Sequence, residues 1–200
     1  MNTGSKEKIN GYIIAGGKSS RMGSDKGLLF LNNKPIILHV IENIMHSVNE
    51  IVIVSNNKEY QKFGLPVIPD LLKDSGPAIG IHSAMSHSRS NRNFIVSCDM
   101  PFINQHAVNF IIESSLSTQI TLPGRMNKIE PLFGVYSTDC LPKWNDLIQQ
   151  GNVKLQDMIL NFTLNIIQID KLMEFNKNTF FNINSPSDLI LAQGLLPAIK

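Results

Sequence analysis

Short apolar runs punctuate this chain at Tyr12 to Ala15, Ile51 to Val54, Val67-Ile68, Phe94 to Ser97 and Ile120 to Leu122. Between them, apolar residues recur at helical spacing, as in Ile37, Val40, Ile41 and Ile44. Strands without polar alternation are buried on both faces, and when they alternate with helices they build a mostly parallel sheet with helices on either side. The expected fold class is therefore α/β, a Rossmann-like three-layer sandwich with a mostly parallel central sheet. At 200 residues, 42% of them hydrophobic, the chain suits one domain over 1–200.

The remaining pattern fills in this frame. Asn32-Asn33-Lys34 reads as a turn and Pro35 opens a helix. A helix is expected over Ala78 to Ser86, and another with Val108, Ile111 and Ile112 on its inner face. After Arg125 the pattern loosens. Strands are expected at Pro131 to Tyr136 and Leu164 to Ile169, and helices at Leu141 to Gln150 and Val153 to Leu160. Ser185 is placed to cap a last helix, with Pro186 in its first position.

Charged residues make up only 17% of the chain, and the formal net charge is +2. That balance speaks against a nucleic-acid or membrane binder driven by charge. Cys98 and Cys140 form neither a CxxC pair nor a zinc spacing. The opening MNTGSKEKIN has no apolar run of the secretory kind. The expected location is the cytoplasm, and a monomer is expected.

Chemistry concentrates where the strands end. The first runs into GGKSSRMGSDKG. Glycines let backbone N–H groups approach an anion, and Lys18, Arg21 and Lys26 carry charge to neutralise phosphates. Open α/β sheets bind ligands past the carboxyl ends of their strands, where this turn lies. GxxxxGK[ST] is ruled out by the position of Lys18, and GxGxxG by the adjacency of Gly16 and Gly17. From the glycines alone, an ordinary tight turn fits as well. Asp70 and Asp99 also follow strands, in VIPD and FIVSCDMPF. Magnesium takes oxygen ligands and is satisfied by one carboxylate plus phosphates and water, which suits Asp99. Aspartates at strand ends also serve as turn or cap residues, more so at Asp70.

The string IAGGKSSRMGSDKGLLFLNNKPIILHV resembles the signature of the MobA-like NTP transferase family, L-x-G-G-x-x-x-R-M-G-x-x-K with a following GKP turn. Ile14 stands for the leucine and Asn33 for the turn glycine. Gly16, Gly17, Arg21, Met22, Gly23 and Lys26 match. CDMPF resembles the segment carrying the family's metal aspartate. SGPAIG resembles GPLAG, with Gly76, Pro77 and Gly80 in register, and FFNINSPSDL resembles the family's closing F-x-N-I-N-T-P-x-D-L. Glu130 replaces the usual histidine before proline.

The resemblance implies a fold of the nucleotide-diphospho-sugar transferase type, with a nucleotide-binding first half and an acceptor-binding second half. It implies transfer of GMP from GTP to a molybdopterin acceptor, Mg²⁺ as cofactor, and proteins of molybdenum insertion and molybdoenzyme maturation as partners. By resemblance, Ile14, Ala15, Gly16, Gly17, Lys26, Asn56, Asp70, Gly76, Pro77 and Asp99 contact the nucleotide. Ser55 is the alternative register for Asn56. Arg21, Lys26 and Asp99 carry catalysis, Asp99 holds the metal, and Asn182 and Asn184 face the acceptor. The paired Gly16-Gly17 and the Gly-Pro are typical of guanylyl-transferring members. Transfer of cytidylyl, use of a sugar phosphate as acceptor, and a non-catalytic nucleotide-binding module are the alternatives.

Overall fold

The computed structural model describes residues 9–16, 25–72, 76–115 and 118–195. Gly17, Lys18 and Arg21 of the glycine turn lie outside these residues.

The first apolar run forms β1 (Asn10–Ile14), which pairs in parallel with β4 (Ile51–Val54) on one side and β6 (Arg92–Ser97) on the other. β5 (Val67–Ile68) adds to the far side of β4. Beyond β6 come β9 (Phe133–Ser137), β7 (Ile120–Arg125) and β10 (Leu164–Gln168), giving the order β10-β7-β9-β6-β1-β4-β5. β9 is antiparallel to both of its neighbours, while β10 runs parallel to β7. A short β8 (Lys128–Ile129) folds back on β7 through Met126 and Asn127, both at positive φ. Two residues in that conformation make the tight hairpin turn that matches strand twist. Phe30–Leu31 (β2) and Lys34–Pro35 (β3) form a separate hairpin of the same design, turning at Asn32 and Asn33.

Alternation along β1 sends its side chains into two cores. Ile13 packs with Ile37, Val40 and Ile44 of α1 (Ile36–Ile44) and Val108 and Ile111 of α3 (Gln105–Glu113). Tyr12 and Ile14 pack instead with Ala78 and Ile81 of α2 (Pro77–His87), Trp144 of α4 (Leu141–Gln149) and Met158 of α5 (Leu155–Ile159). The indole Nε1 of Trp144 donates to the Ala78 carbonyl at 3.1 Å, so burial leaves no unmet donor there. This is the expected sandwich of helices, mostly parallel sheet and helices. A third, smaller cluster joins Leu31 and Ile36 to Ile183 and to Ala192 of α6 (Pro186–Leu195).

Several boundaries differ from the sequence reading, as at β1, α2, β6, β7 and β10, and three of the differences have a clear local reason. The strand expected from Pro131 begins at Phe133, because Pro131 and Leu132 turn and the Phe133 amide donates to the Glu130 carbonyl. The helix expected from Val153 starts at Leu155. Gly151, at φ +78, ends α4, with its amide donating to Ile148 O and that of Asn152 to Leu147 O, and the chain leaves this cap extended. Pro35 sits at the cap of α1 rather than inside it.

Candidate active site

Register fixes the site's frame. Ile14 lies opposite Val54 on one side and Ser97 on the other, and Val54 lies opposite Ile68. Gly16, Asn56, Asp70 and Asp99 each follow these aligned strand ends by two residues. They therefore emerge along one carboxyl edge of the sheet, the edge at which open α/β sheets take ligands.

Asp99 is almost fully buried and both its oxygens are engaged. Ser97 Oγ donates to Oδ1 at 2.6 Å, and Lys26 Nζ donates to Oδ2 at 3.3 Å. The same ammonium donates to Asn184 Oδ1 at 2.5 Å. Lys26 is delivered by a short 3₁₀ turn, Lys26–Leu28, capped by Asp25. The Asp25 carboxylate accepts from the Gly27 amide, from the Tyr60 hydroxyl and from Asn57 Nδ2. A Cβ on Gly27 would stand 2.5 Å from the Tyr60 oxygen and 3.3 Å from Cys98 Cβ, so any side chain would lift the turn off its support. Opposite, the Ile183 amide donates to the Asp99 carbonyl at 3.1 Å. Ser185 Oγ accepts from the Asp188 amide, and the Asp188 carboxylate takes the Asn184 amide and the Ser185 hydroxyl, which fixes the start of α6.

The neighbouring strand ends form a second cluster. Ser55 Oγ donates to the Ala15 carbonyl at 2.8 Å. Asn56 and Asp70 bond reciprocally: Asn56 Nδ2 donates to Asp70 Oδ2 at 3.2 Å, and the Asp70 amide donates to Asn56 Oδ1 at 3.1 Å. Burial raises the Asp70 carboxyl above the ordinary range, and the Asn56 hydrogen bond counters part of that rise. A Cβ on Gly16 would lie 3.2 Å from Asp70 Oδ2, so this carboxylate stands directly against the glycine backbone. Gly76, at φ +71, and Pro77 are exposed at the start of α2.

The structure thus brings Lys26, Asp99 and Asn184 into contact and sets Ile14, Ala15, Gly16, Asn56 and Asp70 beside them on the same edge. Asn182 Oδ1 is buried without a hydrogen-bond partner among the described residues. Arg21 and Gly17 lie outside those residues. Burial first, then the Asp99 and Asp25 charges, push the Cys98 thiol well up, which holds it protonated and poorly nucleophilic. Among the described residues no three His, Cys, Asp or Glu side chains gather as a metal cage. A single carboxylate such as that of Asp99 suits a cation that completes its shell with phosphate and water.

Sequence reasoning missed Asp25, Ser97 and Tyr60. Asp25 lay inside the quoted motif, but the partners that give it a role come from other strand ends. Ser97, two residues before Asp99 at the strand end, could have been found as a short-range hydroxyl donor to the aspartate that follows it.

Gly16, the buried Asp99 and Lys26 stand together at the carboxyl edge of such a sheet, and the relatives make the chain a nucleotidyltransferase of the nucleotide-diphospho-sugar transferase fold. The chain belongs to the family of the MobA-like NTP transferase domain, whose model matches residues 11–163. A probable molybdenum cofactor guanylyltransferase of Thermococcus sibiricus is 38% identical over 194 residues, covering 93% of this chain and 98% of the relative. One of Flavobacterium johnsoniae is 35% identical over 184 residues, covering 92% and 95%. The crystal structure of molybdopterin-guanine dinucleotide biosynthesis protein A from Archaeoglobus fulgidus superposes with a TM-score of 0.79 at 26% identity, over 93% of this chain and 97% of that one. No helix among the described residues is long and apolar enough to cross a membrane.

Proposed function

We propose that this enzyme transfers GMP from GTP to molybdenum-bearing molybdopterin, giving the guanine dinucleotide cofactor and pyrophosphate, with Mg²⁺. The observation that carries the reading is the Lys26 ammonium, bonded at once to Asp99 and Asn184. One cation thereby joins the strand edge expected to hold the nucleotide to the segment expected to hold the acceptor. The relatives' names supply the guanylyl group, and the name of the Archaeoglobus fulgidus protein supplies the molybdopterin.

In this reaction an oxygen of the acceptor's terminal phosphate bonds to the α-phosphorus of GTP. The bond from that phosphorus to its bridging oxygen breaks, and pyrophosphate leaves. Mg²⁺, when bound, supplies Lewis acidity that offsets charge on the phosphate oxygens. Asp99 is the carboxylate that would hold it, oriented by Ser97. Lys26 exchanges its present partners for phosphate oxygens and offsets the charge that develops on them, alongside the Gly16 and Gly17 backbone and Arg21. Asp70, Asn56, Gly76 and Pro77 line the nucleoside end. The acceptor phosphate is already ionised at neutral pH, so no side chain is needed to take its proton.

The test is pyrophosphate release by purified protein with Mg²⁺, molybdopterin and each of the four common NTPs in turn. Release with GTP alone is expected. Preference for CTP would overturn the base assignment while keeping the reaction, and no release with any NTP would overturn the reaction.

A further inference from the structure

A cavity of about 340 Å³ opens between the β7–β8 hairpin and the segment 177–181. Its size is within the range of small-ligand sites, which begin at roughly 300 Å³. Arg125, Lys128, Glu130, Lys177, Phe180 and Phe181 line it. The walls are held from behind. Phe180 packs edge-on against Phe133 at 5.2 Å between ring centres, and Phe181 packs edge-on against Phe102 at 5.9 Å. Arg125 donates to the Asn176 and Phe175 carbonyls, fastening the segment that carries Lys177.

Glu130 is the anomaly in this cavity. It is partly buried, and its carboxylate takes a hydrogen bond from the Leu132 amide. Among the described residues it forms no ion pair, although Lys128 and Lys177 line the same cavity and form none either. Burial, and to a smaller degree the Asp99 charge, raise it from 4.5 to about 7. The Ser97 amide donates to the Leu132 carbonyl at 3.0 Å, which sets the Glu130 segment beside the strand end that leads into Asp99. A partly buried carboxylate that lines a cavity is placed to accept N–H donors from a ligand. A rigid phenyl wall favours a flat ring, and two ammonium groups favour an anionic substituent.

We propose that this cavity binds the 2-amino-4-oxopyrimidine edge of the acceptor's pterin, and that Glu130 selects that edge by accepting its two neighbouring N–H groups. The assignment rests on the functional reading above and deepens it. Pterin and guanine share this edge, so the experiment separates them.

The probes are 6-carboxypterin and 6-carboxylumazine, which differ in the 2-amino group, titrated by their own fluorescence. Titrations are run with saturating Mg²⁺ and the α,β-methylene analogue of GTP. Wild type is expected to bind the pterin with the analogue in place and to prefer it over the lumazine by roughly tenfold or more, because a site built around a ligand N–H rejects the analogue lacking it. Glu130→Gln should shrink that preference to about twofold while analogue binding, which also reports folding, stays as in wild type. Three results would overturn the proposal. They are no pterin binding, competition between pterin and the GTP analogue, and a preference that survives Glu130→Gln. If wild type still releases pyrophosphate from GTP with molybdopterin, such a result sinks the pterin assignment alone.

Discussion

At the scale of single residues, the chemistry depends on side chains that orient others. Ser97 donates to one oxygen of Asp99 at 2.6 Å and so fixes the rotation of the carboxylate proposed to hold Mg²⁺. Groups of this kind behind a metal ligand typically contribute 10–100-fold in metal affinity or activity. Ser97→Ala is therefore expected to raise the Mg²⁺ concentration needed for half-maximal pyrophosphate release by about tenfold, with the melting temperature little changed. An unaltered Mg²⁺ profile would remove Ser97 from that role. Glu130 makes a different prediction, about stability. Its folded value of about 7 lies above the ordinary 4.5, so the folded state holds the proton more tightly than the unfolded chain. Ionising it therefore costs the fold as pH rises from about 4.5 through 7, and the full cost is present above 7. Glu130→Gln should gain on the order of 1–3 kcal/mol at about pH 8 and nothing at about pH 4, read by urea unfolding at each pH. Equal stability of the two proteins at pH 8 would show that Arg125, Lys128 and Lys177 already offset the charge. The sequence marked Glu130 as a departure from its family's pattern, but burial and the Asp99 charge arise only when β6, whose end leads into Asp99, pairs with β9 beside β7 and β8.

At the scale of elements, the existence of the central strands and of the last helix was legible because their signals are local, whereas boundaries such as Pro131 and Val153 shifted. The apolar runs at Ile51–Val54 and Phe94–Ser97 became central strands, and Ser185 with Pro186 opened α6. Strand direction was not legible. Phe133–Ser137 is buried like the strands of the parallel part of the sheet, and nothing in its composition says that it runs the other way. The short β8 escaped notice because its turn, Met126-Asn127, lacks the glycine that usually marks such hairpins. Gly80 was singled out by resemblance, and the structure supplies its reason. A Cβ there would meet Ile14 Cγ2 at 2.8 Å, so α2 lies directly on β1. Ile14 is β-branched, buried and paired on both sides in the sheet, so it cannot swing aside. Gly80→Ala is expected to cost roughly 1–3 kcal/mol in chemical unfolding, despite the better helix propensity of alanine. A stabilised variant would mean that α2 can shift outward without loss, and that this contact does not set the position of Gly76 and Pro77.

At the scale of the whole molecule, the site closes the chain on itself. Lys26 and Asn184 are 158 residues apart and share a hydrogen bond. Two motifs near opposite ends each carried a recognisable pattern, yet only the fold shows that they meet at Asp99. Leu31 and Ile36 from the early hairpin and helix bury against Ile183 and Ala192 from the late segment, so this meeting has its own apolar support. The Ile183 amide reports on it directly, because its acceptor is the carbonyl of Asp99. A ligand that binds the folded form stabilises it by about 2.7 kcal/mol at a hundredfold excess over its dissociation constant. If Mg²⁺ and GTP bind at the strand edge, any opening that frees Ile183 from Asp99 must also disturb their site. Hydrogen exchange at Ile183 should then slow by up to about a hundredfold under those conditions, in step with Ile53 in the central sheet. Lys26→Ala, which keeps the Ile183 bond but cuts the link to Asn184, should lose most of that gain. Were Ile53 to gain protection while Ile183 exchanged as before, the late segment would open independently of the nucleotide site. The acceptor side would then be assembled in a separate step rather than by the bound nucleotide.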